Sequence, residues 1–192
     1  VDILDGFQQK GADQITMRHL VNHTSGFGDY HSPAFWNIPP EKRSIQGILP
    51  VLKEMDLLFE PGTGDEYSNA GYVILGAIIE KVTGKTYGQN VLEQIAQPLQ
   101  LNSLKVTNVK QTPKRAIGYL KTLDGYEDNE EFITEPLSDG GFFATTTDIL
   151  TFYRAYLKGT RLVSQKMKEE DGFFRQIKPY YQEKGAGIPL AG

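Results

Sequence analysis

The stretch FEPGTGDEYSNAGYVILGAIIEKVTG, residues 59–84, decides how the rest of the chain is read. Pro61-Gly62 is a turn dipeptide. Tyr67-Ser68-Asn69 follows it, and from Ala70 to Val82 apolar residues fall nearly all round a helical wheel. A helix that is apolar on every side belongs in the middle of a core. Gly71 and Gly76 each cost such a helix about 1 kcal/mol relative to alanine. Close approach of a neighbouring helix or loop is the expected compensation. Gly84 suits the left-handed position just past the helix end. The layout holds a phenol and a carboxamide still at the mouth of a buried helix.

On the N-terminal side, residues 1–15 read as an irregular lead-in with turns at Asp5-Gly6 and Lys10-Gly11. Thr16 is an N-cap, and Met17, Leu20 and Val21 share a helical face that ends by Gly26 and Gly28. Tyr30 to Pro40 reads as an aromatic, proline-rich loop. Ile45, Ile48, Leu49 and Leu52 form the stripe of a helix over about 44–55, with a kink or break expected at Pro50.

On the C-terminal side, Thr86 caps a helix running to about Ala96, before Pro98. Ala116 to Leu120 and the residues after Asp124-Gly125 form a small hairpin, with Asp-Gly at its turn. A helix covers about 147–158, capped by Thr146 or Thr147 and stopped by Gly159, with Asp148 placed where the dipole favours negative charge. Ile149, Phe152, Tyr153, Tyr156 and Leu157 are its expected buried face. Ser164 caps a last short helix, and the tail from Phe173 reads as strand. No internal repeat is seen.

A chain of 192 residues is long enough for a sizeable core. Apolar residues make up 39%, and 20 glycines bring the total near the globular norm. A mean hydropathy of −0.39 and the lack of a long charge-free apolar run exclude a membrane span. No signal peptide is visible, and Val1 in the place of Met points to a processed or truncated start. The net charge of −4, with scattered Lys and Arg, does not support a nucleic-acid footprint. The absence of cysteine removes disulfides, thiolate zinc sites and a thiol nucleophile, and leaves the compartment open.

Read alone, Tyr67-Ser68-Asn69 is a helix cap at Asn69 and a core-edge ring at Tyr67. The longer string resembles the Tyr-x-Asn motif of the serine β-lactamase and penicillin-binding-protein superfamily, in its class C and esterase-like branch. Ile15 to Gly26 (ITMRHLVNHTSG) is similar to that family's ITIRHLLTHTSG. Pro98-Leu99-Gln100-Leu101 is similar to its Pro-Leu-Gly-Met. The segment Gly140-Gly141-Phe142-Phe143-Ala144-Thr145-Thr146-Thr147-Asp148-Ile149 resembles its Gly-Gly-x-x-Ser-Thr-x-x-Asp-Leu, and Leu162-Val163-Ser164 its exit. The resemblance spans roughly residues 15–165.

That resemblance implies a mainly α chain with a small β-hairpin: the helical domain (residues 1–165) of the β-lactamase-like α/β plus all-α fold. Residues 166–192 would be a stub leading back to an α/β domain of the same bacterial parent. It implies acyl-transfer chemistry on an amide, ester or β-lactam carbonyl, as in β-lactamases, D-Ala-D-Ala peptidases and carboxylesterases. It implies no metal or organic cofactor, and a periplasmic or extracytoplasmic parent is compatible with it. By resemblance Tyr67 is the general base and acid. Asn69 would hold the substrate amide and a lysine of the first motif, with Ser68 a spacer.

Two partner motifs are missing. None of the serines at 25, 32, 44, 68, 103, 138 and 164 begins a Ser-x-x-Lys, and no Lys-Thr-Gly or His-x-Gly occurs. Thr107 and Lys110 have the first spacing but follow the second motif and lie near the hairpin. The family's first motif falls upstream of where the chain begins. Its third falls just beyond a strand like Gly185-Ala186-Gly187-Ile188. A tyrosine titrates near ~10 and needs adjacent positive charge to act as a base near neutrality. The parent is thus expected to be an enzyme and the chain alone inactive. The alternative is a non-catalytic relative that binds cell-wall fragments or another small molecule. A free-standing helical interaction domain is the third reading.

His19 and His23 stand at i, i+4, a spacing that can chelate zinc. However, Leu20 occupies the position where a metalloprotease carries glutamate, so structural histidines are expected. Ser25 lacks a nucleophile elbow and reads as a hydroxyl–backbone turn. The loops 27–43 and 120–139 are the expected substrate selectors.

Overall fold

The computed structural model describes residues 5–107, 109–129, 135–159 and 161–166. Helix α1 spans Met17–Val21. The Thr16 hydroxyl accepts from the His19 amide at 3.2 Å, and His19 Nδ1 accepts from the Thr16 amide at 3.4 Å. This reciprocal cap leaves few of the first-turn donors orphaned. The helix stops at Val21, well before the glycines expected to end it, because His23 turns left-handed at φ 59°.

Part of the segment read as loop is ordered. Ser32 caps α2 (Pro33–Trp36), where Pro33 loses nothing by lacking an N–H in the first turn. Ser44 caps α3 (Ile45–Lys53), which runs unbroken through Pro50. The expected break is absent because the buried stripe straddles it. Ile45, Ile48 and Leu49 before the proline, and Leu52 after it, are all buried in one core.

The central helix is α4 (Asn69–Thr83), with Gly84 closing it at φ 68°. It packs against α1 and α3. Ala70, Val73, Ile74, Ala77 and Ile78 are buried, whereas Ile79 and Val82 are exposed. Enclosure on every side therefore holds only for its first part. Gly76 does permit a close approach: a Cβ there would lie 2.0 Å from Ser138 Oγ and 2.8 Å from Ile45 Cδ1.

Thr86 and Gln89 form a capping box on α5 (Tyr87–Val91). A π-helical turn over Leu92–Ala96 leads into α6 (Gln97–Leu99), so the helix continues past its expected end. The wider turn relaxes the i→i−4 ladder where Pro98 has no N–H to give. Strands β1 (Tyr119–Lys121) and β2 (Tyr126–Asp128) pair antiparallel, Tyr119 opposite Asp128. Asp124 and Gly125 lie in the connection, as the sequence predicts.

Helix α7 (Thr146–Leu157) is capped by Thr145, one residue earlier than expected. Ser103 anchors its first turn: the Ser103 amide and hydroxyl both donate to Asp148 Oδ2, at 2.8 and 2.6 Å. None of its residues is buried. Ile149, Tyr153 and Leu157 are exposed, and Phe152 and Tyr156 are half-buried. Periodicity identifies a face with affinity for apolar cover, but the cover must come from elsewhere. Among the described residues, α6 packs against this helix. Residues 165–166 are helical directly after Ser164. The rest of that turn, the tail strand including 185–188, and nearly all of the expected stub 166–192 lie outside the described residues. Among the described residues no helix is long and apolar enough to cross a membrane.

Candidate active site

The site forms where the turn after α1 is laced to the segment that enters α4. The Leu58 amide donates to the Gly26 carbonyl at 2.8 Å, Gly62 to Thr24 at 2.8 Å, and Glu66 to His23 at 3.0 Å. Gly26 makes this possible. It sits at φ 87°, and a Cβ would lie 2.3 Å from the Phe59 carbonyl oxygen. Ser25 is fully buried, and its hydroxyl accepts from the Phe27 amide at 3.3 Å, which is a local turn.

This lacing brings Tyr67 and Asn69 to one surface. Tyr67 is 64% exposed. Its ring lies 4.8 Å from the imidazole of His23, tilted by 32°. It is not a core-edge ring. Asn69 is the first residue of α4 and not its cap. The Asn69 amide nitrogen donates to Asp29 Oδ1 over a long 3.4 Å. An ionised carboxylate only accepts, so this contact turns the NH2 end of Asn69 toward Asp29 and leaves its carbonyl oxygen facing away.

Ser68, between them, is more than a spacer. It is fully buried, its hydroxyl accepts from the Gly71 amide at 2.8 Å and donates to the Gly28 carbonyl at 3.2 Å. It thus caps α4 and ties the helix mouth to the α1–α2 loop. Replacing Ser68 by alanine removes the cap, worth about 0.5–2 kcal/mol, and orphans a buried carbonyl, about 1–3 kcal/mol. Urea denaturation of Ser68→Ala is expected to show a loss of about 2 kcal/mol or more. A loss below about 0.5 kcal/mol would mean that the two hydroxyl bonds do not persist in solution.

His23 underlies the pair. Its Nδ1 accepts from the Ser68 amide at 3.1 Å. Its ring also stacks on Tyr72 at 5.2 Å, nearly parallel at 28°. Tyr72 is in turn held by a 3.2 Å bond from its hydroxyl to the Val21 carbonyl. Burial lowers the His23 pKa from its usual 6.5, so the ring is neutral near pH 7. Burial, and then the nearby Tyr67, raise that of Tyr72. A left-handed backbone costs a residue with a Cβ roughly 1–2 kcal/mol, and here it places the ring under Tyr67.

A second polar group flanks Asn69. Asp29 Oδ1 also meets His31 Nδ1 at 2.6 Å. Burial acts to raise the Asp29 pKa, but the hydrogen bonds from His31 and Asn69 together lower it. Asp29 therefore stays ionised through mildly acidic pH. His31 stacks on Tyr30 at 4.5 Å and meets Phe35 edge-on at 5.0 Å. The Tyr30 hydroxyl donates to Asp139 at 2.7 Å across 109 residues of sequence. Burial, and then the facing carboxylate of Asp139, push the Tyr30 pKa far up. Burial also raises that of Asp139, against the bond from Tyr30.

The structure thus gathers Tyr67, Asn69, His23 and Asp29. His19 lies in α1 and His23 outside it, so their i, i+4 spacing makes no helical chelate. Each has its Nδ1 committed to a backbone amide. Among the described residues no group of three His, Cys, Asp or Glu side chains could hold a metal ion. Val109 and Lys110 lie in a 3-10 turn, Val109–Gln111, near the hairpin. Reading the sequence missed His23, Asp29, His31 and Asp139 as parts of the site. Asp29 and Asp139 do come from the two loops expected to select substrate, but nothing in a single sequence pairs them across such separations.

The family profile described as Beta-lactamase matches residues 2–191. Penicillin-binding protein 4* of Bacillus subtilis (strain 168) is 40% identical over 124 residues, covering 61% of the chain and 27% of that protein. A penicillin binding protein from Bacillus halodurans superposes with a TM-score of 0.76 at 26% identity, covering 88% of this chain and 54% of that one. A D-stereospecific amidohydrolase from Streptomyces sp. gives 0.72 at 28% identity, covering 88% and 53%. The chain spans about half the length of these solved structures, and about a quarter of the Bacillus subtilis relative.

Proposed function

The chain belongs to the Beta-lactamase family, and from that premise we propose that it is the helical part of a serine hydrolase working through an acyl-enzyme. Its substrates would carry an amide, ester or β-lactam carbonyl. The observation that supports this reading most is the placement of Tyr67: an accessible phenol beside Asn69 at the mouth of a buried helix, backed by neighbours that hold it in place. Its resemblance-based partner would be an α/β domain of the same parent, and that parent would also carry Ser-x-x-Lys and the third motif.

In the proposed reaction the phenolate oxygen of Tyr67 takes the proton of the serine hydroxyl as that oxygen attacks the carbonyl carbon. It then gives the proton to the departing nitrogen or oxygen. Asn69 donates to the substrate through its NH2, and its carbonyl oxygen accepts from the lysine of the first motif. General acid–base help of this kind contributes about 10²–10⁴-fold. The larger contribution, oxyanion stabilisation, would come from the other motifs. Within the 192 residues no Ser-x-x-Lys exists, and the chain alone supplies no nucleophile for acylation.

The test is covalent labelling with a fluorescent penicillin and with a fluorophosphonate. The 192-residue chain is expected to stay unlabelled, and a polypeptide that also carries the Ser-x-x-Lys segment to label stoichiometrically. Labelling of the chain alone would overturn its proposed inactivity. If the parent's reading frame holds no Ser-x-x-Lys, the same residues would serve the second reading, a binder of cell-wall fragments or another small molecule.

A further inference from the structure

Three independent features converge on His23. Its backbone is left-handed at φ 59°, a conformation that few residues with a Cβ adopt. Its Nδ1 is the acceptor for the amide of Ser68, the residue between Tyr67 and Asn69. Its ring lies against two others, Tyr67 at 4.8 Å and Tyr72 at 5.2 Å. Tyr72 is fixed from below by the Val21 carbonyl, so the stack rests on the end of α1.

We propose that His23 is the positioning residue of the Tyr67-Ser68-Asn69 segment, acting as a neutral imidazole with its proton on Nε2. The tautomer follows from the bond. An N–H donates, so the Nδ1 that receives the Ser68 amide must present a lone pair, and the proton of the neutral ring sits on Nε2. One ring thus sets two things: the height of the helix mouth through the Ser68 backbone, and the lean of the Tyr67 phenol through its face. Aromatic faces prefer offset or tilted contact over free rotation, which matches the tilt of 32° seen here.

The arrangement is sensitive to acid. Protonating His23 puts a hydrogen on Nδ1, and the Ser68 amide then loses its acceptor. The titratable groups packed on the ring are the phenols of Tyr67 and Tyr72, and the Glu66 amide bonds the His23 carbonyl. Burial lowers the folded-state pKa below the usual 6.5. Between those two values the unfolded chain binds more protons, so stability falls as pH drops through that window and levels off below it. The contribution is complete above pH 6.5.

A role in catalysis rests on Tyr67 acting as proposed above, but the placement can be read without any reaction. The experiment uses the full 192-residue chain, labelled with ¹⁵N. Long-range imidazole spectra near neutral pH are expected to show His23 protonated at Nε2. On acidification, the Ser68 amide and the Tyr67 ring resonances are expected to move with the His23 midpoint. His23→Phe keeps a ring but no acceptor, and exchange of the Ser68 amide should quicken about tenfold. His23→Asn tolerates the left-handed backbone but has no ring, and the Tyr67 resonances should shift. A proton on Nδ1 would overturn the proposal, as would Tyr67 signals indifferent to the His23 titration. Should either variant fail to fold, the titration of the unaltered chain decides alone. Labelling by penicillin reads the chemistry of Tyr67 and not the tautomer of His23, so failure of one is separable from failure of the other.

Discussion

Gly26→Ala is expected to destabilise the chain by about 3 kcal/mol, the sum of two costs. A residue with a Cβ pays roughly 1–2 kcal/mol in the left-handed region that Gly26 occupies at φ 87°. The added methyl would also stand 2.3 Å from the Phe59 carbonyl oxygen, closer than real side chains come, and the backbone must shift. Forced shifts of this kind cost about 1–3 kcal/mol. The shift falls on the 2.8 Å bond from the Leu58 amide to the Gly26 carbonyl, the first link between the two segments that build the site. Gly84→Ala is the control: φ is 68° and nothing lies within 4 Å of the added carbon, so only the conformational cost of about 1–2 kcal/mol remains. Urea midpoints of both variants give the difference. Equal losses would show that the two segments are not in contact at Phe59.

The second large effect concerns chemistry. In a polypeptide carrying the Ser-x-x-Lys segment, Tyr67→Phe is expected to slow acylation by about 10²–10⁴-fold. The ring face that meets His23 is retained and only an exposed hydroxyl is lost, so stability should change by no more than about 0.5 kcal/mol. That pairing separates a proton-transfer role from a packing role. A variant that acylates at the original rate would remove Tyr67 from the mechanism. A variant that merely unfolds would show the phenol to be structural. The reading also requires that penicillin labelling and ester turnover fall together, since both begin with the same proton transfer.

The parts of the fold that were legible in the sequence are those with local causes. Thr16, Thr86 and Gly84 mark helix ends because caps act over three or four residues. Gly125 marks the hairpin because the connection needs its positive φ of 143°. The readings that failed have non-local causes. Pro50 does not break α3, because side chains on both halves are buried in the same core. The stripe on α7 is real, but burial needs a partner surface that the helix cannot specify by itself. Ser32 and Pro33 do carry a helix signal, hidden because the surrounding aromatics and prolines read as loop.

The sequence by itself determined the buried helix α4, the turn before it, and the identity of the phenol and carboxamide at its mouth, because spacing along one chain segment dictates them. Tertiary structure alone decided what surrounds that pair. His23 lies 44 residues before Tyr67, and Asp29 40 residues before Asn69. Asp139 reaches Tyr30 across 109. Such meetings depend on the lacing of one loop onto another through backbone amides and carbonyls. Every residue but proline carries both groups, so no residue type announces them in advance.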